Sequence, residues 1–493
     1  MRRLVLTLMA MGLAVGVALA EETAAEREAR QVRQDLVSTA VSLRQLLRAP
    51  DLRADEAAGL RGALSALVQL QDMAFGPKPM APEAVTGLRS GVEAARASGL
   101  AWRRRMLLNR GGLRAACSYA DLVRQPQYKA NLHCHTWHSD GSQVCDVTAA
   151  WYREHGYQVL AMTDHDAYGD QDGGVCSARL QNDKAVHDWD GDGVLHETVE
   201  RRSGVETYVR DYSRPAPPWV PRSWQLEQPG EFVVLNGLEA SFGHPHINVV
   251  GCPAGDIPDP REGYAFMDWG RSTGGVAFQN HPSGWNGRPA SLHAHPDLSR
   301  LDGLEVMNGF LARDNRNGKN ADGAPGFAEP LWNGCLDAGL RLWGFANDDS
   351  HTVDPTHFAG AGSAWNMIWS RALARPEVTA ALRAGAFYAT CGIVVDRVEI
   401  TPEALRVHSP NATHAQVIGD GGQVLAASAG GEIRYTLTGS ERWLRVVLWN
   451  DTMCYPVPEP QYVQKAWLQP IMLQRLLAPA EALAATPGSE AAR

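Results

Sequence analysis

The stretch of sequence that decides the fold lies between two short segments, Ala130-Asn-Leu-His-Cys-His-Thr136 and Val159-Leu-Ala-Met-Thr-Asp-His-Asp166. Each segment opens with a run that predicts a strand and leads directly into His or Asp residues. Between them, residues 147–155 have the composition of a helix that ends at Gly156. This alternation of strands and helices continues and predicts a parallel sheet closed as an α/β barrel. The candidate strands are residues 130–132, 159–162, 232–238, 247–250, 275–278, 304–307 and 342–346.

Nine residues of metal-ligand type form one ordered series along the chain, and most of them follow a candidate strand closely. The active sites of α/β barrels lie at the C-terminal ends of the strands, so we expect these side chains to converge. Imidazole and carboxylate groups together suit Zn²⁺, Mn²⁺ or Fe²⁺, which predicts a metallohydrolase with two or three divalent transition metals. The nine residues are His133, His135, Asp140, His165, Glu239, His246, His281, Asp349 and His351.

The length of 493 residues predicts two or three domains, and the net charge of −9 argues against a protein that coats nucleic acid. No nucleic-acid partner is therefore expected, and the oligomeric state stays open. We divide the chain into a signal peptide, a helical N-terminal region, a barrel with an insertion at 167–230, a β-rich C-terminal region and a disordered tail. The boundaries are residues 1–20, 21–125, 126–395, 396–475 and 476–493.

The N-terminus has the pattern of a secretory signal. Arg2 and Arg3 precede an apolar run that ends in Ala18-Leu-Ala20, an A-x-A cleavage site. The alternative is a membrane anchor, but the run is short for a span and acidic residues follow it. We therefore expect an exported protein, periplasmic or secreted, with no membrane span after cleavage. Disulfides are permitted there, and the eight cysteines allow 105 pairings among which the sequence does not choose.

Several of these motifs resemble the PHP (polymerase and histidinol phosphatase) metallohydrolases, in an exported type that resembles a carbamate-ester hydrolase group. The resemblance is firm over about 128–395. The matching pieces are Asn131-Leu-His-Cys-His-Thr136, Ser139-Asp-Gly141, Leu160-Ala-Met-Thr-Asp-His-Asp166, Gly237-Leu-Glu239, Asn280-His-Pro282, Leu304-Glu-Val-Met-Asn308, Asp349-Ser-His351, Gly385-Ala-Phe-Tyr-Ala-Thr390 and Ala466-Trp-Leu-Gln-Pro-Ile471.

The resemblance implies a distorted (β/α)₇ barrel that holds up to three metals. The ligand sets that it implies are His133, His135, Glu239 and Asp349 for the first ion; Glu239, His246 and His281 for the second; and Asp140, His165 and His351 for the third. Two positions stay open, because His244 competes with His246 and Asp348 competes with Asp349. Asp164 is then expected to orient a ligand imidazole.

The implied activity is a metal-dependent hydrolase of a small-molecule substrate, foremost a phosphoesterase that uses a metal-bridged hydroxide. Hydrolysis of a carboxylic or carbamic ester on the same metals is the alternative, and a non-catalytic metal-binding protein is a third possibility. An amidohydrolase barrel also opens with His-x-His, but the Asp-x-His that ends the series fits it less well. Asn308 and Arg313 are candidate substrate contacts.

A second metal signal lies in the insertion. Asp188, Asp190 and Asp192 alternate before Gly193, as in the front half of a calcium-binding loop. The twelfth position lacks the usual Glu, but Glu197 occupies the tenth. The loop is therefore a candidate Ca²⁺ site, and the alternative is a solvated acidic turn.

Overall fold

The computed structural model describes residues 23–47, 52, 54–75, 81–136, 139–143, 145–165, 197–202, 205–210, 227–241, 245–252, 263–282, 297–313, 326–454 and 463–474. The chain divides into two compact units, whose described parts are residues 23–106 and 107–474. The predicted signal peptide and the C-terminal tail lie outside the described residues.

The first unit is helical, as its apolar spacing predicts. It contains α1 (Ala24–Leu46), α2 (Ala54–Phe75) and most of α3 (Pro82–Asn109). Thr23 and Glu26 cap α1 reciprocally, since each side chain bonds to the other residue's backbone N–H at 3.2 and 2.9 Å. The apolar faces of the helices form one core that includes Leu36, Leu67 and Trp102. None of the described helices is long and apolar enough to cross a membrane.

The second unit is mixed α/β. Its helices are α4 (Gly112–Ala116), α5 (Cys145–Glu154), α6 (Gly263–Ser272), α7 (Gly309–Arg313), α8 (Glu329–Asp337) and α9 (Arg375–Ala384). Its strands up to the end of the predicted barrel are β1 (Gln127–Asn131), β2 (Val159–Met162), β3 (Glu197–Arg202), β4 (Val205–Arg210), β5 (Val233–Ala240), β6 (Ile247–Val250), β7 (Val276–Gln279), β8 (Gly303–Asn308), β9 (Trp343–Asn347), β10 (Trp365–Trp369) and β11 (Phe387–Thr390).

The C-terminal strands are β12 (Arg397–Ile400), β13 (Ala404–His408), β14 (His414–Gly419), β15 (Gln423–Ser428), β16 (Glu432–Thr436), β17 (Trp443–Met453), β18 (Val463–Leu468) and β19 (Ile471–Met472). One large sheet runs in the order β15-β14-β17-β18-β11-β10-β1-β2-β5-β6-β7-β8-β9, with β19 beside β17. Strands β12, β13 and β16 form a separate sheet, and β3 pairs with β4 inside the predicted insertion. The predicted α/β class is confirmed.

The sheet is mixed, so the prediction of a parallel sheet is confirmed for only part of it. The pairs β1–β2, β2–β5, β7–β8 and β8–β9 are parallel, but β6 runs antiparallel to both β5 and β7. A parallel connection needs a crossover of about a dozen residues or more. Only residues 241–246 separate β5 from β6, so the chain must reverse its direction there.

Strands β1 and β9 meet without a regular ladder. A single parallel bridge joins Cys134 to Ser350 just beyond the two strands. Beside it, buried amides take the place of backbone pairing: the side chain of Asn366 on β10 bonds to both the N–H and the C=O of Ala346 at 3.0 and 2.8 Å. The Asn347 side chain accepts the N–H of Leu132 at 3.0 Å. These bonds hold the ends of β1 and β9 next to each other.

Candidate metal centre

The ligand-type residues lie at one edge of the sheet. His133 and His135 follow β1, His165 follows β2, Glu239 lies near the end of β5, His281 follows β7, and Asp349 follows β9. His246 precedes β6 instead. Because β6 is antiparallel, its first residue, Ile247, pairs with Ala240 and Gln279 at the ends of β5 and β7. The reversed strand therefore brings His246 to the same edge as the other ligands.

Four donor atoms lie close together, and they belong to the four residues implied for the first ion. His133 Nε2 lies 3.2 Å from His135 Nε2, from Glu239 Oε2 and from Asp349 Oδ1. His135 Nε2 lies 3.1 Å from Glu239 Oε2 and 3.2 Å from Asp349 Oδ1. Three of these atoms, from His133, His135 and Asp349, form a group that can hold a metal ion.

Glu239 joins these donor atoms to a second group of imidazoles. Its Oε1 lies 2.9 Å from His246 Nδ1 and 3.4 Å from His281 Nε2, the two residues implied for the second ion. Its Oε2 also lies 3.1 Å from His165 Nδ1. Asn280 donates to Oε1 at 2.7 Å and fixes the carboxylate. The carboxylate is therefore placed to bridge two ions.

A third group surrounds Asp140, as implied. Asp140 Oδ1 lies 3.3 Å from His351 Nε2, 3.7 Å from His165 Nε2 and 3.6 Å from His135 Nδ1. His135 and His165 each present one ring nitrogen to this group and the other nitrogen to Glu239. The sequence analysis assigned each imidazole to one ion, and the structure places these two between neighbouring groups.

Two buried ligand atoms at the centre, Glu239 Oε2 and His165 Nδ1, have no hydrogen-bond partner within the part of the chain that the structure describes. They face each other at 3.1 Å without hydrogen-bond geometry. Buried polar atoms are almost always satisfied, and a shared metal ion would satisfy both of these. The donor set and these orphaned atoms therefore fit divalent transition metals.

Burial and neighbouring charges shift the pKa values of several groups in the centre. Burial alone would raise the pKa of Glu239, but the neighbouring His133, His165 and His246 hold it well below its usual range. Burial would also raise the pKa of Asp140, yet bonds and charges from His351, His135 and His165 lower it below the ordinary value. Burial lowers the pKa of His165 to about 3, so this imidazole is neutral at physiological pH and can act as a ligand.

Glu305 is a buried carboxylate beneath the ligands that sequence reasoning missed. It accepts from His133 Nδ1 at 2.9 Å and from the backbone N–H of His281 at 2.7 Å. It also accepts from the amides of Asn308 and Asn347 at 2.8 and 2.9 Å. A carboxylate behind a ligand imidazole fixes its tautomer and its orientation. The signal was an acidic residue inside the apolar strand β8.

Asn308 lies between two carboxylates of the centre, and its predicted contact with substrate stays a prediction. It is fully buried, and its amide donates to Glu305 at 2.8 Å and to Asp349 Oδ2 at 3.2 Å. The side chain of Arg313 lies outside the described residues, so its contact with substrate stays a prediction.

Asp164 orients the ligands through a loop rather than by direct contact with an imidazole. It accepts from the N–H and the hydroxyl of Thr136 at 2.6 and 2.7 Å, and from Ser139 at 2.8 Å. Ser139 in turn lies 3.3 Å from His135 Nδ1. Asp164 thereby fixes the turn that carries Asp140.

The geometry separates Asp348 from Asp349. Asp348 accepts five hydrogen bonds, from Tyr152, Gly362, Ala364 and both the backbone and the side chain of Ser363. Its carboxylate thus stabilises the local structure through these hydrogen bonds, whereas the carboxylate of Asp349 faces the imidazoles. Asp349 and His281 are also the described non-glycine residues with positive φ, at 52° and 31°. Strain of this kind concentrates at functional sites.

His244 and the acidic residues Asp188, Asp190 and Asp192 lie outside the described residues, and only the backbone of Glu197 is described, as the start of β3.

Comparison with known proteins gives limited but consistent results. No protein-family model matches the chain. The DNA polymerase/3'-5' exonuclease PolX of Bacillus subtilis (strain 168) is 25% identical over 153 residues, which are 29% of this chain and 26% of that protein. The chain therefore spans about a quarter of the length of this relative.

A solved structure with some similarity is a two-domain protein from Bacteroides vulgatus ATCC 8482 that contains a predicted PHP-like metal-dependent phosphoesterase. The match covers 70% of this chain and 95% of that one, with 15% identity and a TM-score of 0.35. Because this TM-score does not establish a shared fold, the assignment depends on the ligand geometry. That geometry gathers His, Asp and Glu donors into groups that fit metal ions, and at this level the resemblance to the PHP metallohydrolases is confirmed.

Proposed function

We propose that the protein is a phosphoesterase of the PHP type that acts on a small-molecule substrate with two or three Zn²⁺, Mn²⁺ or Fe²⁺ ions. The observation that carries the proposal is the contact of Glu239 with His133 and His135 through one oxygen and with His246 through the other. A distorted seven-stranded barrel closed at the Cys134–Ser350 bridge would place this centre at its mouth. When bound, such ions lower the pKa of water and neutralise charge on the ester oxygens.

The residues of the chain position the ligand side chains and shield their donor atoms from bulk water. Glu305 and Asn308 hold His133 and Asp349 in place. The low exposure of His133, His135 and Glu239 keeps bulk water away from the donor atoms. No side chain of the centre is proposed as a nucleophile: Cys134 is fully buried, donates to the C=O of Ala161 at 3.4 Å, and burial raises its pKa well above the ordinary value.

The test is hydrolysis of bis(4-nitrophenyl) phosphate by the purified protein. Activity should disappear with a chelator and return with Mn²⁺, Zn²⁺ or Fe²⁺. In ¹⁸O-water under single-turnover conditions, label should enter the product directly. A trapped covalent adduct with no label in the first turnover would overturn the proposal.

A carboxylic or carbamic ester is the second candidate substrate, because an aromatic wall flanks the centre. The ring of Phe310 lies 5.3 Å from that of His351 and 5.3 Å from that of Phe358. This wall suits an apolar or aryl group on the substrate. Comparison of the rates of hydrolysis of an aryl carbamate and of the phosphodiester decides between the two candidate substrates. The variant Phe358→Ala should raise KM for the aryl ester. The variant Phe387→Leu, in the core of the sheet, serves as a packing control.

We propose further that the chain is exported and begins near Glu21 after cleavage. The support is the basic start, the apolar run and Ala18-Leu-Ala20. N-terminal sequencing of protein from the envelope fraction tests this, and intact Met1 would contradict it.

The loop from Asp188 to Glu197 is proposed to bind Ca²⁺ and to order the insertion around β3 and β4. Three alternating carboxylates before Gly193 support a hard cation. In Asp190→Ala, calcium should no longer raise the melting temperature of protein whose transition metals have been restored. An unchanged response to calcium would reduce the loop to an acidic turn.

A further inference from the structure

A cavity of about 710 Å³ lies between helix α9 and the end of the sheet opposite to the metal ligands. Its volume is in the usual range of sites for small molecules. One wall of the cavity comes from β5 and from the turns that follow β6 and precede β7, and this wall includes Asn236, Gly251 and Gly274.

The strand directions separate this cavity from the metal centre. His246 directly precedes β6 and Gly251 directly follows it, so these two residues lie at opposite ends of the strand. In the same way, Gly274 lies before β7 and His281 lies after it. The cavity is therefore a site separate from the ligand residues, and its occupancy does not depend on the proposed hydrolase activity.

One face of α9 forms the opposing wall. Arg375, Thr379 and Arg383 line the cavity at a spacing of four residues, and Ala380 and Ala384 line it beside them at the same spacing. Residues four apart lie on one side of a helix. At a rise of 1.5 Å per residue, Arg375 and Arg383 lie about 12 Å apart along the helix axis. The wall thus carries one guanidinium group near each of its ends.

The described carboxylates offset the charge of these two arginines only in part. Arg375 Nε donates to Glu227 Oε1 at 2.6 Å, and that oxygen also accepts the N–H of Val234 at 3.1 Å. Among the described residues, Arg375 Nη2 has no hydrogen-bond partner. Arg383 is exposed, and within the described ranges no carboxylate forms an ion pair with it. The cavity therefore has a positive lining.

Glycines keep the space between α9 and the two turns open. Gly251 and Gly274 have positive φ, at 75° and 98°. A Cβ on Gly251 would come within 2.6 Å of Thr379 Oγ1, and a Cβ on Gly274 would lie 3.5 Å from Arg383 Nη1. A side chain at either turn would therefore crowd the hydroxyl and the guanidinium, both of which can donate to a bound anion.

We propose that this cavity binds a small elongated molecule with an anionic group at each end, a dicarboxylate or a bisphosphate. Arg375 and Arg383 would each hold one group, because a planar guanidinium matches two oxygens of a carboxylate or a phosphate. Their separation along α9 favours an elongated molecule over a single compact anion. The proposal goes beyond the hydrolase activity, and either of the two can fail without the other.

Isothermal titration calorimetry of the metal-loaded protein tests this with two matched pairs of probes. Adipate is compared with hexanoate, and hexane-1,6-diyl bisphosphate is compared with hexyl phosphate. In at least one pair the molecule with two anionic groups should bind at least about tenfold more tightly, because a second charge-assisted contact is added. The pair with the larger ratio identifies carboxylate or phosphate as the group recognised. Absence of binding, or equal affinity within both pairs, would overturn the proposal.

Ala380 offers a matched pair of variants in the wall of the cavity. The position is exposed, and glutamate and glutamine have the same shape but differ in charge. Ala380→Glu should weaken binding at least about tenfold by repulsion, whereas Ala380→Gln should keep the affinity within about threefold. Arg383→Gln should weaken binding, and Arg434→Gln, at an exposed position on β16, should not. Equal binding by Ala380→Glu and Ala380→Gln would mean that the probe binds at the metal centre or elsewhere, and the proposal would be wrong.

Discussion

The strands that carry the ligands and the strands of the C-terminal region bury their residues differently. Strands β5 and β7 are buried along their whole length, whereas β13 alternates between buried and partly exposed positions and β16 between buried and exposed positions. In β16 the charged Glu432 points to solvent and pairs with Arg406 at 2.8 Å. In β5 the charged Glu239 is fully buried and faces five imidazoles.

This difference teaches where a polar residue indicates function. On an alternating strand a charged residue reaches water at little cost, so its presence says little. On a strand that is buried on both faces, a charged residue is tolerated only with partners that offset its desolvation. Glu239 and Glu305 meet this condition because imidazoles and amides surround them.

The largest expected effect is that of Glu239→Gln. Removal of the charge shared by the groups around His133 and His246 should lower kcat/KM by about a thousandfold or more and lower the metal content. The loss should exceed that of His135→Ala. Activity assays with elemental analysis measure both, and Glu432→Gln on the exposed strand is the control. If Glu239→Gln keeps its full metal content, the contrast between the buried glutamate of β5 and the exposed glutamate of β16 is wrong.

A second test compares adjacent aspartates. Asp348→Asn should reduce the free energy of unfolding by about 3–5 kcal/mol, because five donors lose a charged acceptor. Asp349→Asn should lose metal with a smaller loss of stability in chelator-treated protein. Urea unfolding of the two variants measures the difference. Equal losses in the free energy of unfolding would mean that Asp348 does not have a structural role distinct from the metal-binding role of Asp349.

The third prediction concerns pH and the contact between helix α8 and the C-terminal strands. Burial would raise the pKa of Glu329, but Arg445 at 2.9 Å and Lys465 at 3.5 Å outweigh it and lower the pKa from 4.5 to about 2. Because the folded-state pKa lies below the unfolded value, this contribution to stability is present above about pH 4.5 and is lost as the pH falls through 2. It should amount to about 3 kcal/mol.

Urea unfolding at pH 6, 4 and 3 checks this. The wild type should be more stable than Glu329→Gln at pH 6, and the difference should shrink as the pH falls. The exposed Glu432→Gln should track the wild type at all three values. A difference between wild type and Glu329→Gln that is independent of pH would exclude the ionised carboxylate as its cause.

The smallest effect is expected for Glu305→Gln. The glutamine can keep most contacts but lacks the charge behind His133, so metal affinity should fall about 10–100-fold, or about 1.4–2.7 kcal/mol. Competition with a chelator measures the affinity, and excess metal should restore activity. Glu399→Gln, at an exposed position on β12, is the control. If both variants bind metal like the wild type, the buried carboxylate has no positioning role.

Much of the fold could be predicted because apolar runs and their spacing are local. Candidate strands 159–162 and 247–250 coincide with β2 and β6, and the others lie within a few residues of the observed strands. The direction of β6 was missed, although the short connection of residues 241–246 carried that information. The C-terminal strands were predicted only in outline, since their exposed faces mix charged and small residues.

The sequence by itself determined the chemistry of the centre. Nine residues with imidazole or carboxylate side chains lie at strand ends, and such side chains do not serve as apolar core residues there. It also determined the helical N-terminal unit and the α/β alternation, which depend on residues near one another in the chain. Only the tertiary structure separated the contacts of Asp348 from those of Asp349 and revealed Glu305 beneath His133. These contacts join residues far apart in sequence, and spacing along a chain does not encode which distant strands become neighbours.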